Sequence, residues 1–264
     1  MVLDWLIEIH NAEKHPERMF LIAFVYSSIA AAFALWIFPK NAGAVMMVLV
    51  VAAFMPLMLN LMKTEELLDE EHKPFVGKHW PALKLFIFMF FGMVLSYTLW
   101  YAFLPTETAT NLFSMQVETI TSRNVDVGAM MGLGTFLQIL MNNLKVLFVG
   151  IVLAFMWGAG AIFILDWNAT ILGTLLGDGV RGALHNSSMA LGAMKYLVHG
   201  IPEISAYFVG GLAGGIISIA VSRHKPGDKE FTGVLKDSLE LILIAIVILV
   251  IAAALEVGVS PYIG

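Results

Sequence analysis

Apolar residues gather into seven long blocks, at 20–38, 44–62, 83–104, 144–165, 168–184, 201–221 and 239–255. A helix rises about 1.5 Å per residue, so blocks of this length match the hydrocarbon core of a bilayer. The pattern predicts an all-α polytopic membrane protein with seven transmembrane helices. Block 168–184 is short and holds Asp178 and Arg181. The alternative is six spans plus a re-entrant helix pair over 168–198, which is stable only where protein or water covers its backbone. Short amphipathic interfacial helices complete the prediction. Residues 1–15 place Leu3, Leu6 and Ile9 on one side and acids opposite, and Pro16 suits the first turn of the helix that follows. The longest connection is 105–141. Within it, 107–121 is expected to turn Leu112, Phe113, Val117 and Ile120 to the membrane, and the apolar run 127–140 is too short to span and is expected at the interface.

The basic residues orient the spans. With a cytoplasmic N-terminus and seven crossings, the inner flanks hold Lys14, Arg18, Lys63, Lys73, Lys78, Lys84, Arg223, Lys225, Lys229 and Lys236. The outer segments hold Lys40, Arg123 and Lys195. Six crossings would turn the basic 223–236 loop outward, against the rule. Trp36, Tyr97, Trp100, Tyr101 and Tyr262 at outer ends, with Trp80 and Trp167 at inner ends, resemble interfacial belts. The expected location is the cell (cytoplasmic) membrane. In the inner link 63–81, the acidic run Glu65, Glu66, Asp69, Glu70 and Glu71 reads as a solvated helix end.

Composition agrees. The chain of 264 residues is 59% hydrophobic and 13% charged, with a mean hydropathy of +0.84; soluble domains carry about 25% charged residues. A net charge of −5 argues against a nucleic-acid partner. The absence of cysteine excludes disulfides, thiol catalysis and thiolate metal sites. The bilayer is the one partner that composition names, and a symmetric homo-oligomer is the general expectation.

Candidate chemistry lies where polar residues interrupt the apolar blocks. His199 and Glu203 are one turn apart, on an arc continued by Tyr207, Gly210, Gly214 and Ser218. Asn142, Asn143 and Lys145 open the fourth block, and Glu256 closes the seventh. The topology brings all of them to the outer leaflet. Ionisable groups in apolar segments are costly and mark functional candidates. His199, Glu203 and Glu256 would suit a divalent metal ion; the same groups could instead hydrogen-bond one another and fasten helices together. His-x-x-x-Glu lacks the second histidine of the zinc-protease motif, which disfavours a metallopeptidase. Asp178 and Arg181 suggest an internal ion pair or the lining of a polar path. His185 ends that helix, and Asn186-Ser187-Ser188 fits a glycosylation sequon. Gly150, Ala154 and Gly158, and separately Gly210 and Gly214, recur every four residues and form small-residue lanes where helices approach closely; the two lanes are expected to meet.

These residues also carry a resemblance. Asn142-Asn143 precedes a span with Gly150, Gly158 and Gly160, and Asn168 is followed by Gly173. His199-Gly200-Ile201-Pro202-Glu203 leads into Ala206, Gly210 and Gly214, and Ala252-Ala253-Ala254-Leu255-Glu256 is followed by Ser260-Pro261. In this order they resemble the stage II sporulation protein M family of integral membrane proteins, over residues 82–264. The chain departs from the family pattern at Asn168-Ala169, where Asn-Gly is usual, and at Val198-His199-Gly200, where Pro-His-Gly is usual. Residues 1–81, with two spans, read as an addition. The resemblance implies a membrane scaffold that, in spore formers, recruits cell-wall hydrolases, with 105–141 as the recruiting surface. It supplies no catalytic role for the His-Gly-x-Pro-Glu motif. Two functions follow as expectations: a non-enzymatic scaffold or assembly factor, or a small cation, proton or solute transporter using the polar cluster. An intramembrane metal-dependent hydrolase is the third.

Overall fold

A computed structural model describes residues 15–66, 75–126, 133–157, 160–184, 190–225 and 227–259. They form helices α1 (Pro16–Ile37), α2 (Ala42–Glu66), α3 (Phe75–Phe103), α4 (Thr106–Leu112), α5 (Ser114–Asp126), α6 (Leu133–Trp157), α7 (Gly160–Leu184), α8 (Ala190–Arg223) and α9 (Lys229–Gly258). Seven of them, all but α4 and α5, are long and apolar enough to cross a membrane. The protein is an all-α, multi-pass membrane protein. The helix expected within 1–15, Gly158, His185, the Asn186 sequon, Tyr262 and most of the acidic run lie outside the described residues.

The long helices alternate in direction. One end of the bundle therefore gathers the 38–41 turn, α4 and α5, and the starts of α6 and α8; it is called the loop end below. The Asn111 amide donates to the Pro39 carbonyl there at 3.1 Å. Helices α7 and α8 are the most buried spans and sit centrally. Helix α3 packs on α7, α1 packs on α3 and α2, and α9 packs on α8 and α6. Lipid tails give helices no hydrophobic reason to associate, so shape decides these contacts. At Gly92 a methyl group would collide with the Phe20 carbonyl and lie 3.0 Å from Ala23 Cβ, which fixes how closely α1 approaches α3.

The fourth span differs from its sequence reading. It runs over Leu133–Trp157 rather than 144–165, and the next, antiparallel span starts at Gly160. Within the run 127–140, the described residues 133–140 are therefore the beginning of a span, not an interfacial helix. The fifth span begins at Gly160 instead of 168, which places Trp167 inside a helix rather than at an inner belt. Apolar residues continue on both sides of this turn, so hydropathy alone carries no mark of it.

The loop-end segment is also corrected. Leu112 and Phe113 are fully buried in protein, not turned to the membrane. Phe113 stacks edge-on against Tyr97 and Tyr101, with ring centroids 6.0 and 5.6 Å away. The fully buried Gln116 donates to Thr170 Oγ1 at 2.9 Å, which ties α5 to α7. Glu107, Thr110, Asn111, Ser114, Glu118 and Thr121 stay exposed. The pair α4–α5 is thus wedged into the bundle by its apolar face and shows a polar face outward.

Candidate polar site at the α6–α8–α9 junction

Helices α6 and α8 run parallel and approach closely because α8 has no side chains at the contact. A Cβ on Gly214 would lie 2.6 Å from the Ile151 carbonyl oxygen and 3.0 Å from Ala154 Cβ, and one on Gly210 would strike Leu147. Gly150 does not share this lane; it faces Ile164 of α7. Above the glycines, at the loop-end side, the same crossing brings Asn143 to Glu203. The Asn143 amide nitrogen donates to Glu203 Oε1, and the two residues are only 1% and 3% exposed. Pro202 just before Glu203 has no N–H to return to the carbonyl at position 198, so the helix ladder is already open beside the site.

Helix α9 adds the third side. His199 Nε2 lies 3.9 Å from Glu256 Oε1, within ion-pair range and beyond a hydrogen bond. Asn142 Nδ2 stands 3.4 Å from Asn143 Oδ1, and Asn142 itself is exposed. The structure therefore brings Asn143, His199, Glu203 and Glu256 to one junction, with Asn142 at its edge. Lys145 does not join: it points out from α6 and is exposed, about 200° round the helix from Asn143. Among the described residues, no three His, Asp or Glu side chains are arranged to hold a metal ion. The arrangement can fix three helices by polar contacts whose partners lie inside the bundle.

Asp178 and Arg181 also behave differently from the expectation. Arg181 forms no ion pair with Asp178. Its Nε donates to the Tyr101 carbonyl at 2.6 Å, Nη2 donates to the Leu104 carbonyl, and Nη1 reaches Thr106 Oγ1 at 2.9 Å. The guanidinium also lies 5.3 Å from the Tyr101 ring centroid. Carbonyls at a helix C-terminus lack intrahelical partners and attract cations. Arg181 thus caps α3 and anchors the start of α4. Arg181→Ala should lower stability by about 2 kcal/mol through these unanswered carbonyls, read as a fall in melting temperature and faster proteolysis near residues 104–112.

Two further buried groups escaped the sequence reading. Glu65, read as part of a solvated acidic run, is 2% exposed and its Oε2 lies 2.6 Å from His79 Nδ1, closing the α2–α3 hairpin. Asp166, at 0% exposure on α7, accepts a hydrogen bond from the Tyr97 hydroxyl at 2.5 Å. Asp166 could have been found only by placing the α6–α7 turn correctly, since it otherwise reads as an interspan residue.

The model of the family described as Stage II sporulation protein M matches residues 83–261. This is more than half of the chain and includes Asn143, His199, Glu203 and Glu256. The chain belongs to the stage II sporulation protein M family. A protein of Methanocaldococcus jannaschii described as uncharacterized is 36% identical over 135 residues, covering 49% of this chain and 72% of the other. No solved structure matches the chain. The family match begins within α3, includes the Tyr97–Asp166 pair and runs through all three helices of the polar junction. Helices α1 and α2 precede it, yet they pack on it directly: Phe20 meets Gly92, and Met62 fills the space beside Gly215.

Proposed function

We propose that the protein is a non-enzymatic scaffold of the cell membrane, with its N-terminus cytoplasmic and its loop end outside. The observation that carries this reading is the wedged α4–α5 pair. Leu112, Phe113 and Gln116 hold it in the bundle while Glu107, Asn111 and Glu118 stay exposed. A surface held this rigidly can present polar contacts to a protein partner with little ordering entropy to overcome. The junction of Asn143, Glu203, His199 and Glu256 then serves as a lock between α6, α8 and α9. Residues 1–81 are an added pair of spans that widens the platform, and a symmetric homo-oligomer fits the same role.

The second reading, a cation or proton transporter, draws on that same convergence of ionisable groups. Three measurements separate the two. The chain has no cysteine, so a single cysteine at Glu118 gives one thiol. It should react with a membrane-impermeant maleimide on intact cells, whereas one at Gly227 should react only after permeabilisation. A photo-crosslinker at Glu118 in native membranes should yield a discrete protein adduct that one at the apolar position Leu243 does not. Proteoliposomes should show no cation flux that depends on Glu203. A flux abolished by Glu203→Gln at unchanged melting temperature, without an adduct at Glu118, would replace the scaffold reading with transport.

A further inference from the structure

Asp166 sits on α7, the central span, wholly removed from solvent. The Tyr97 hydroxyl donates to its Oδ1, and its Oδ2 has no hydrogen-bond partner. One turn further along α7, Thr170 gives its own proton to the Trp167 carbonyl at 2.7 Å. Its oxygen must therefore accept from Gln116, which fixes the amide with Nε2 toward Thr170. The Gln116 carbonyl oxygen is left buried and without a donor. Asp166 Oδ2 is thus an enclosed carboxyl oxygen without a donor, and the Gln116 amide that meets Thr170, one helical turn further along α7, leaves its own oxygen enclosed and without a donor as well.

We propose that the unpartnered oxygen of Asp166 is a binding site for a single positive charge inside the bundle: a proton or a sodium-sized monocation. An ionised carboxyl in an apolar interior with one hydrogen bond is strongly disfavoured unless a positive charge joins it. The titratable neighbour that acts on Asp166 is Tyr97, which is neutral when it donates. The other ionisable groups on helices packed against α7 lie elsewhere. Lys63 and Glu65 sit at the end of α2 and His79 and Lys84 near the start of α3, Tyr101 faces Asp178 and Arg181 further along, Lys145 is exposed on α6, Glu118 is exposed on α5, and His199, Glu203 and Tyr207 lie on α8. No lysine or arginine side chain is bonded to Asp166 among the described residues, so the compensating charge must arrive as an ion. A single carboxyl group balances one charge, whereas divalent oxygen sites commonly carry more than one acid. Oxygen-only donors suit a proton or a hard alkali ion and disfavour soft metals.

The site is separate from the α6–α8–α9 junction and goes beyond the scaffold reading. The test uses the full-length protein in nanodiscs, with melting midpoints measured at several pH values between 6 and 9 in choline chloride and in sodium chloride. Wild type should lose several degrees as pH rises in choline. Recovery on adding sodium identifies the alkali ion, and no recovery identifies the proton. Asp166→Asn keeps the shape and the Tyr97 bond without the charge, so its midpoint should lose this dependence and exceed that of wild type at high pH in choline. Tyr97→Phe removes the one donor while keeping the acid, and should enlarge the dependence; it decides the matter should Asp166→Asn fail to fold. A wild-type midpoint indifferent to both ions, a dependence retained in Asp166→Asn, or a dependence unchanged in Tyr97→Phe overturns the proposal.

Discussion

Asn143→Leu should be among the most damaging single substitutions in the protein, lowering stability by about 3 kcal/mol or more. The change removes the amide that α6 offers to Glu203 and leaves a buried carboxyl group facing a new apolar side chain. Glu203→Leu should cost less, about 1–3 kcal/mol, because the group left behind is a neutral amide. The asymmetry is the informative part. When both partners become apolar, the pair itself leaves no unanswered polar atom, so Asn143→Leu/Glu203→Leu should recover part of the loss from Asn143→Leu. Thermal or denaturant unfolding of the four proteins in one detergent gives the coupling directly. A double variant whose loss equals the sum of the singles would show that the two side chains act independently, and the lock would be dismissed.

The second large effect is expected at the glycine contact below that pair. Gly214→Val should lower stability by about 2 kcal/mol or more, since its first side-chain atom already overlaps the Ile151 carbonyl and Ala154. The backbone of α6 cannot yield without pulling Asn143 from Glu203, so packing and polar contact should fail together. Gly233→Ala provides the control. There an added methyl meets nothing, and the change should be neutral or stabilising by up to about 1 kcal/mol. Equal melting temperatures for Gly214→Val and wild type would show that the α6–α8 contact is loose, against the close approach described.

How the site came to be partly legible follows from which interactions are local. His199 and Glu203 lie one turn apart on any helix, so their common face needs no tertiary knowledge. Glu256 could be matched to them because a span of known direction fixes the depth of its end. Asn143 meets Glu203 although the apolar block 144–165 misplaces its span: it lies ten residues inside α6, not at its start. Lys145, two residues on, shares the depth of Asn143 but faces the opposite side of the helix. Asp166 and Glu65 show the reverse error. Polar residues beside apolar runs read as solvated ends, and only a partner distant in sequence, Tyr97 or His79, reveals them as interior.

What the sequence by itself determined is therefore the class of protein and its skeleton: seven apolar helices, no strand-like alternation, and a helical face carrying His199, Glu203 and the glycine lane. These follow from hydropathy and a 3.6-residue period, which are properties of short stretches. Tertiary structure decided where α6 turns into α7, that Leu112, Phe113 and Gln116 enter the bundle, and that Arg181 caps α3 instead of pairing with Asp178. Each of these depends on which buried donors and acceptors find one another across the bundle. A buried polar atom is stable only with its partner, and that partner is chosen by packing over long sequence separations.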